Sequence, residues 1–355
     1  MVSTRKIKKL LRVIPKLVFD KNLFLFSSNF AKRCWGRYKC DSSKNMPYPT
    51  TLMLELTNKC NLHCLTCPRE HGYGREMEVG DMSFDTARKI LDQALPYLGS
   101  LGLTGLGETL FAPNLAEVAK YVKQRKPGVI IFISTNANFP GFIEKVMPVL
   151  DHVDTIQVST DGVGDTYEDI RVGASFDTLY KNLEALVPEA TSRGVDVMFN
   201  MVITKRNFRS MPEVIRMAEK IGVGYVNFTC FNLASVTSVP VSYYDFFKGD
   251  EYRGVLELTK RVASECKDVE VTGLDFMGSP GIRKCGLMWN QFQINHDGEV
   301  PPCCAKPFPK EYSFGNVCDT PLIDVLNSDN AKQFRSHWVK GKPHPFCQKC
   351  SFVKL

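Results

Sequence analysis

Between Thr51 and Cys230, short apolar runs alternate with helical segments, and each run ends in a polar or glycine-rich loop. Strands are expected at 51–56, 101–106, 129–134, 153–159, 195–204 and 224–230, with helices at 84–98, 113–125, 142–150, 176–192 and 211–221. Apolar strands separated by helices indicate βαβ units and a parallel sheet, because parallel neighbours need a long crossover. Six such units fall short of a closed eight-strand barrel. The expected fold class is therefore α/β, a partial (β/α)6 barrel, followed after about residue 275 by a loop-rich module in which this rhythm is lost.

In parallel α/β folds, ligands gather at the C-terminal ends of the strands. Cys60, Cys64 and Cys67 follow the first strand; Gly105, Gly107 and Glu108 follow the second; Ser134 and Asn136 close the third; Ser159 and Asp161 close the fourth; Cys230 ends the sixth. The spacing Cys60-x3-Cys64-x2-Cys67 places three thiols within eight residues. A structural metal site normally closes with four ligands, whereas three leave a position open for a small molecule. Cys230 has two readings: a buried thiol behaving as a small apolar residue, or a hydrogen-atom donor facing the barrel mouth.

The cysteine triad after a first strand resembles the signature of the radical S-adenosylmethionine (SAM) superfamily. The resemblance implies a [4Fe-4S] cluster held by Cys60, Cys64 and Cys67, with SAM on the fourth iron and reductive cleavage to a 5′-deoxyadenosyl radical. Gly105-x-Gly107-Glu108 resembles the family's turn that receives the SAM amino group, with Thr109 where a proline is usual. Ser134 to Asn136 resembles the ribose-contact segment, Ser159 and Asp161 resemble SAM or substrate contacts, and Arg171 matches an arginine that reaches the SAM carboxylate. A zinc knuckle is the structural alternative for the triad.

The C-terminal frame of Cys285, Gly298, Cys303, Phe314-Gly315-Asn316-Val317 and Cys347-x2-Cys350 resembles the SPASM module. That implies an auxiliary [4Fe-4S] cluster on Cys285, Cys303, Cys347 and Cys350, fully ligated and so suited to electron transfer or support; zinc is the alternative here too. Asp297-Gly298 is a hairpin signal expected to fold the strand around Phe292 back and bring Cys303 near Cys285. Cys304 and Cys318 are expected to be nonligands.

The net charge of +7 is local: residues 1–46 carry twelve Lys or Arg against two acids, which leaves the remainder at −3. An acidic body disfavours nucleic acid as a partner. No window is apolar for the ~18 residues a membrane span needs, and no signal peptide is evident, so the expected compartment is the cytoplasm. Thirteen cysteines in such a chain point to metal sites rather than disulfides. Apolar residues at near-helical spacing between Ile7 and Phe30 make the N-terminus amphipathic, to dock on the barrel or to lie on an anionic membrane. The expected organisation is a basic N-terminal segment (1–46), a barrel (47–275) and a cluster-binding module (276–355).

These features lead to an enzyme that abstracts hydrogen from an unactivated carbon of a carbohydrate-like or other small molecule and oxidises it, with the auxiliary cluster as electron acceptor and a flavodoxin- or ferredoxin-type reductant. The alternatives are a sugar or peptide epimerase using Cys230, a peptide cross-linking enzyme, and a zinc scaffold whose basic arm holds RNA or an acidic partner. The basic N-terminus is too short for a winged-helix leader-binding domain, which favours the small-molecule reading.

Overall fold

The computed structural model describes residues 23–39, 45–236, 238–275, 285 and 287–354. Its centre is an eight-stranded sheet: β1 (Thr51–Leu54), β2 (Ser100–Leu103), β3 (Ile130–Thr135), β4 (Thr155–Ser159), β5 (Asp196–Ile203), β6 (Tyr225–Cys230), β7 (Glu270–Thr272) and β8 (Gln291–Ile294). The order is β7-β6-β5-β4-β3-β2-β1-β8, every pair is parallel, and the strands expected from sequence form its central six.

The two added edge strands have different origins. β7 follows a helix, Asp250–Glu265, that the sequence reading did not mark. β8 belongs to the segment around Phe292, where the expected turn at Asp297-Gly298 does fold the chain back, with Asn295 N–H on Glu299 O at 2.9 Å, but the strand itself finds another partner. Instead of pairing along its length with the chain that returns after Asp297-Gly298, β8 pairs with β1 in register Leu52 to Phe292 and Leu54 to Ile294. The returning chain pairs with 314–316, through Val300 N–H to Gly315 O at 3.0 Å and Phe314 N–H to Val300 O at 2.9 Å. The open backbone edge of β1 offers a whole row of donors and acceptors, which a short hairpin cannot match.

Six helices accompany the central strands: α2 (Phe84–Ala94), α3 (Leu115–Arg125), α4 (Phe142–Leu150), α5 (Asp165–Ile170), α6 (Phe176–Arg193) and α7 (Met211–Ile221), with α1 (Leu23–Lys39) before them and α8 (Asp250–Glu265) after. Local signals explain their limits. Ser83 caps α2 by accepting from Thr86 N, and α2 gives way to a 3-10 turn at Leu95–Tyr97, where Pro96 cannot donate to the helix ladder.

The sheet has two unlike faces. Leu52, Leu101, Ile133, Val158, Phe199 and Val226 are fully buried and belong to the main hydrophobic core. On the opposite face, Ser159, Asn200, Asn227 and Thr272 stand side by side in register. Asn227 donates to Asn200 Oδ1 at 2.8 Å, and Thr272 donates to Asn227 Oδ1 at 2.8 Å. A polar row along a parallel sheet marks a face meant for a ligand rather than for a second helix layer.

The N-terminal amphipathic reading extends into α1; residues 1–22 lie outside the described residues. Asn29 donates to Tyr48 O at 2.9 Å and Lys126 lies over the Phe26 ring at 5.1 Å, so one side of α1 is docked. Among the described residues no helix is long and apolar enough to cross a membrane. Replacing Phe199 by Ala would leave a cavity behind β5 and is expected to cost about 3–5 kcal/mol, measured as a lower urea midpoint in far-UV circular dichroism.

Candidate functional site

The cysteine loop is fastened at its base, middle and end. Thr57 donates to Asp81 Oδ1 at 2.6 Å, and Asn58 bonds Glu78 O and Gly80 N–H at 2.7 and 2.9 Å. Further on, His63 N–H reaches Val172 O and Leu65 N–H reaches Ile170 O, both at 2.9 Å, and Cys67 N–H closes a turn onto Cys64 O at 3.0 Å. Cys60, Cys64 and Cys67 thereby become electrostatic neighbours. Burial pushes all three thiols up, Cys67 to about 12, while Arg69 and Arg171 pull the other way.

Thiolates in such a place need added positive charge, which iron provides. Among the described residues no three His, Cys, Asp or Glu side chains converge on one point as a single metal ion requires. Three thiols near enough to act on one another suit a cubane, whose thiolate ligands each take a different iron.

The glycine turn after β2 lies directly on that loop. A Cβ on Gly107 would come within 2.6 Å of Thr57 O and 2.7 Å of Lys59 O, and one on Gly105 within 2.1 Å of a Glu55 carboxylate oxygen. Only hydrogen fits at either place. Glu108 is buried with both oxygens engaged: Thr135 Oγ1 donates at 2.7 Å and Leu110 N–H at 3.2 Å to Oε1, and Asn136 N–H at 2.7 Å to Oε2. Burial raises its pKa against these bonds. The carboxylate thus ties the glycine turn to the end of β3.

Asn136 continues the connection, donating from Nδ2 to Asn61 Oδ1 at 2.9 Å, with Cys60 Sγ at 3.9 Å. Ser134 and Ser159 are half-buried, and Ser159 is in register with Asn200. The sequence reading passed over Asn61 and Asn138. Asn61 donates to Asn138 O at 2.8 Å, and Asn138 binds Ser175 through N–H to Oδ1 at 3.0 Å and Nδ2 to O at 2.7 Å. The run Asn136-Ala137-Asn138 was the available signal, and Ala137 at φ 49° adopts the left-handed backbone rare outside glycine.

Asp161 and Arg171 form a buried ion pair at 2.9 Å, though the angle is off that of a hydrogen bond. The pair is therefore not a surface salt bridge. Asp161 Oδ1 accepts Val202 N–H at 2.8 Å, and Arg171 Nη1 points to Cys64 Sγ at 3.7 Å. Burial disfavours the guanidinium charge, but Asp161 and then Cys64 outweigh it and raise Arg171. A fixed positive charge therefore sits beside the middle thiol.

The second group assembles around 3-10 turn Pro345–Cys347, with Cys350 N–H to Cys347 O at 3.0 Å. Burial first, then Cys303, Cys350 and Cys285, push the Cys347 thiol up, so the four expected ligands are neighbours. Cys303 is raised by its hydrogen bond with adjacent Cys304 and by burial, and the same bond lowers Cys304. Asn232, just after β6, donates to Cys350 Sγ at 3.4 Å, and Tyr244 donates to Lys349 O at 3.1 Å. This places the second thiol group beside the loop that follows β6. Cys230 lies on the same face of β6 as buried Val226 and Phe228, its S–H meets Phe231 O at 3.4 Å, and burial followed by Cys350 pushes it up to about 12.

A parallel sheet with one thiol group after β1 and another beside the loop after β6 defines the class of iron–sulfur α/β enzymes. The chain belongs to the radical SAM superfamily: the superfamily model matches residues 54–229, and the SPASM model, an iron-sulfur cluster-binding domain, matches residues 285–351. It is 30% identical over 335 residues to the tungsten-containing aldehyde ferredoxin oxidoreductase cofactor-modifying protein of Pyrococcus furiosus, covering 84% of this chain and 86% of that one. It is 26% identical over 330 residues to AlbA, the antilisterial bacteriocin subtilosin biosynthesis protein of Bacillus subtilis, covering 87% and 68%.

The structure of Streptococcus suis SuiB bound to S-adenosylmethionine superposes with a TM-score of 0.67 at 17% identity, covering 98% of this chain and 81% of SuiB, a likeness of fold. The cofactors are SAM, its [4Fe-4S] cluster and an auxiliary iron–sulfur cluster in the SPASM domain.

Asp161→Asn leaves the Arg171 charge buried without its partner. We expect a loss of about 3–5 kcal/mol in unfolding experiments and less iron retained after anaerobic reconstitution.

Proposed function

We propose that Cys60, Cys64 and Cys67 hold the SAM cluster, that Cys285, Cys303, Cys347 and Cys350 hold the auxiliary cluster, and that the enzyme oxidises a polar, hydroxyl-bearing substrate at an unactivated carbon. When bound, SAM on its reduced cluster supplies a 5′-deoxyadenosyl radical that takes a hydrogen atom, and the auxiliary cluster supplies an acceptor for the second electron. The observation that carries this reading is the position of the Cys347–Cys350 turn against Asn232 and Tyr244, at the same end of the sheet as the Cys60–Cys67 loop.

In this reading Arg171 and Asp161 set the charge beside Cys64 and orient the SAM carboxylate. Gly105, Gly107 and Glu108 shape the turn for the SAM amino group, and Ser134 and Asn136 lie on the ribose side. Ser159 and the Asn200–Asn227–Thr272 row offer hydrogen bonds to substrate hydroxyls. A flavodoxin- or ferredoxin-type protein supplies the reducing electron. The place of Cys230 on the core face of β6, with Val226 and Phe228, favours oxidation over epimerisation. The likeness to AlbA supports a second reading, in which the substrate is a peptide.

Anaerobically reconstituted protein is expected to carry about eight irons per chain and to cleave SAM with reductant. A variant with Cys60, Cys64 and Cys67 all changed to Ala should lose cleavage. Cys347→Ala/Cys350→Ala should still cleave SAM yet fail to oxidise substrate. Mass spectrometry of sugar, aminocyclitol and peptide candidates in deuterium oxide checks the reaction: loss of two hydrogens marks oxidation, whereas deuterium at an inverted carbon, or zinc in a colourless protein, would sink this proposal.

We also read the N-terminus as a contact for an anionic lipid surface. Phe24, Leu25 and Phe30 of α1 are 81%, 43% and 52% exposed, and the segment 1–46 holds twelve basic residues against two acidic ones. Cosedimentation with phosphatidylserine vesicles should exceed that with neutral vesicles and should fall in Phe24→Ser/Phe30→Ser; equal binding to both vesicle types would refute the contact.

A further inference from the structure

His296 stands in the turn after β8, with its ring buried against the end of β1. Its Nδ1 lies 3.3 Å from Glu55 Oε1, and its main-chain N–H lies 3.4 Å from the same oxygen. The other carboxylate oxygen, Oε2, accepts Leu106 N–H at 2.6 Å, inside the glycine turn. Glu55 also fills the space that a side chain at Gly105 would need. One fully buried carboxylate thus has the SPASM segment on one oxygen and the glycine turn on the other.

The surroundings of the pair are specific. Gly80 makes room for the imidazole, since a Cβ there would come within 2.9 Å of His296 Cδ2 and Nε2. Asp81 and Asp297 also face the ring, and Asp81 is itself held by Lys59 Nζ at 2.7 Å and by Thr57. Burial works against a charged imidazole, but Glu55, Asp297 and Asp81 outweigh it and raise the His296 pKa. A buried carboxylate is costly to keep ionised without its partner.

We propose that Glu55 and His296 are positioning residues through which the C-terminal module sets the Gly105–Glu108 turn, so that SAM binds tightly only when that module is seated on β1. The proposal rests on the reading of this turn as part of the SAM site. The ion pair is complete below the ordinary histidine pKa and is lost as pH rises through the raised value, so SAM affinity and the order of the turn fall over that interval.

The test uses anaerobically reconstituted holoenzyme and two readouts: SAM affinity from the change SAM makes in the electron paramagnetic resonance spectrum of the reduced cluster, and hydrogen–deuterium exchange at Leu106. In wild type, affinity should decline and Leu106 exchange, corrected for its intrinsic pH dependence, should quicken as pH rises from the ordinary histidine range through the raised His296 value. His296→Gln should bind SAM roughly tenfold more weakly at the low end of that range, with the pH dependence gone and with unchanged iron content. Wild-type affinity of SAM, or a variant pH profile, that does not respond in this way would overturn the coupling. Leu106 protection that stays constant with pH in wild type would also overturn it, without relying on any variant. A wild-type spectrum that SAM never alters would count instead against the SAM site itself, and with it against this proposal.

Discussion

Three neighbouring thiols, one buried and two half-buried, can all ionise only if positive charge is brought to them, and much of the surrounding chain addresses this constraint. Burial raises Cys60, Cys64 and Cys67 above the ordinary thiol pKa. Arg171 offsets this at Cys64, but a buried guanidinium is itself unfavourable without a partner, which Asp161 supplies from the end of β4. Asp161 is held in turn by the backbone of Val202 on β5. Charge compensation for a loop after β1 therefore reaches four strands across the sheet.

A second network works by shape rather than charge. The close approach of Gly107 to Thr57 O and Lys59 O leaves no space between the glycine turn and the cysteine loop, and Glu108 ties that turn to Thr135 and Asn136. Asn136 then returns to the cysteine loop through Asn61. The three strand ends form a closed hydrogen-bonded ring, which keeps the loop in place and limits its freedom before any cofactor arrives.

Much of this architecture is legible in the residues. The six central strands and their crossover helices follow from apolar runs separated by helical segments, because each such run must be covered on the helix side. The Cys60–Cys67 loop and the Cys347–Cys350 pair are legible from spacing, whereas the full C-terminal set is what the resemblance to the SPASM module implies. Other elements escaped for identifiable reasons. α8 begins with Asp250 and Glu251 and has few buried residues, so little of it reads as core. β8 carries a hairpin signal at its end, which says nothing about the partner waiting along its side. Asn61 and Asn138 are ordinary loop residues until distant chain segments come to meet them.

The sequence by itself determined the α/β class, the side of the sheet where chemistry gathers, and the three-thiol loop after the first strand. Those are consequences of periodicity and local spacing, which are properties of neighbouring residues. Only the tertiary structure decided that Arg171 stands beside Cys64, that Glu108 uses its carboxylate to join strand ends, that Cys230 shares the core face of β6, and that β8 docks on β1. Each depends on a contact between residues far apart in the chain, where burial and the need to pair every buried polar group select the partner.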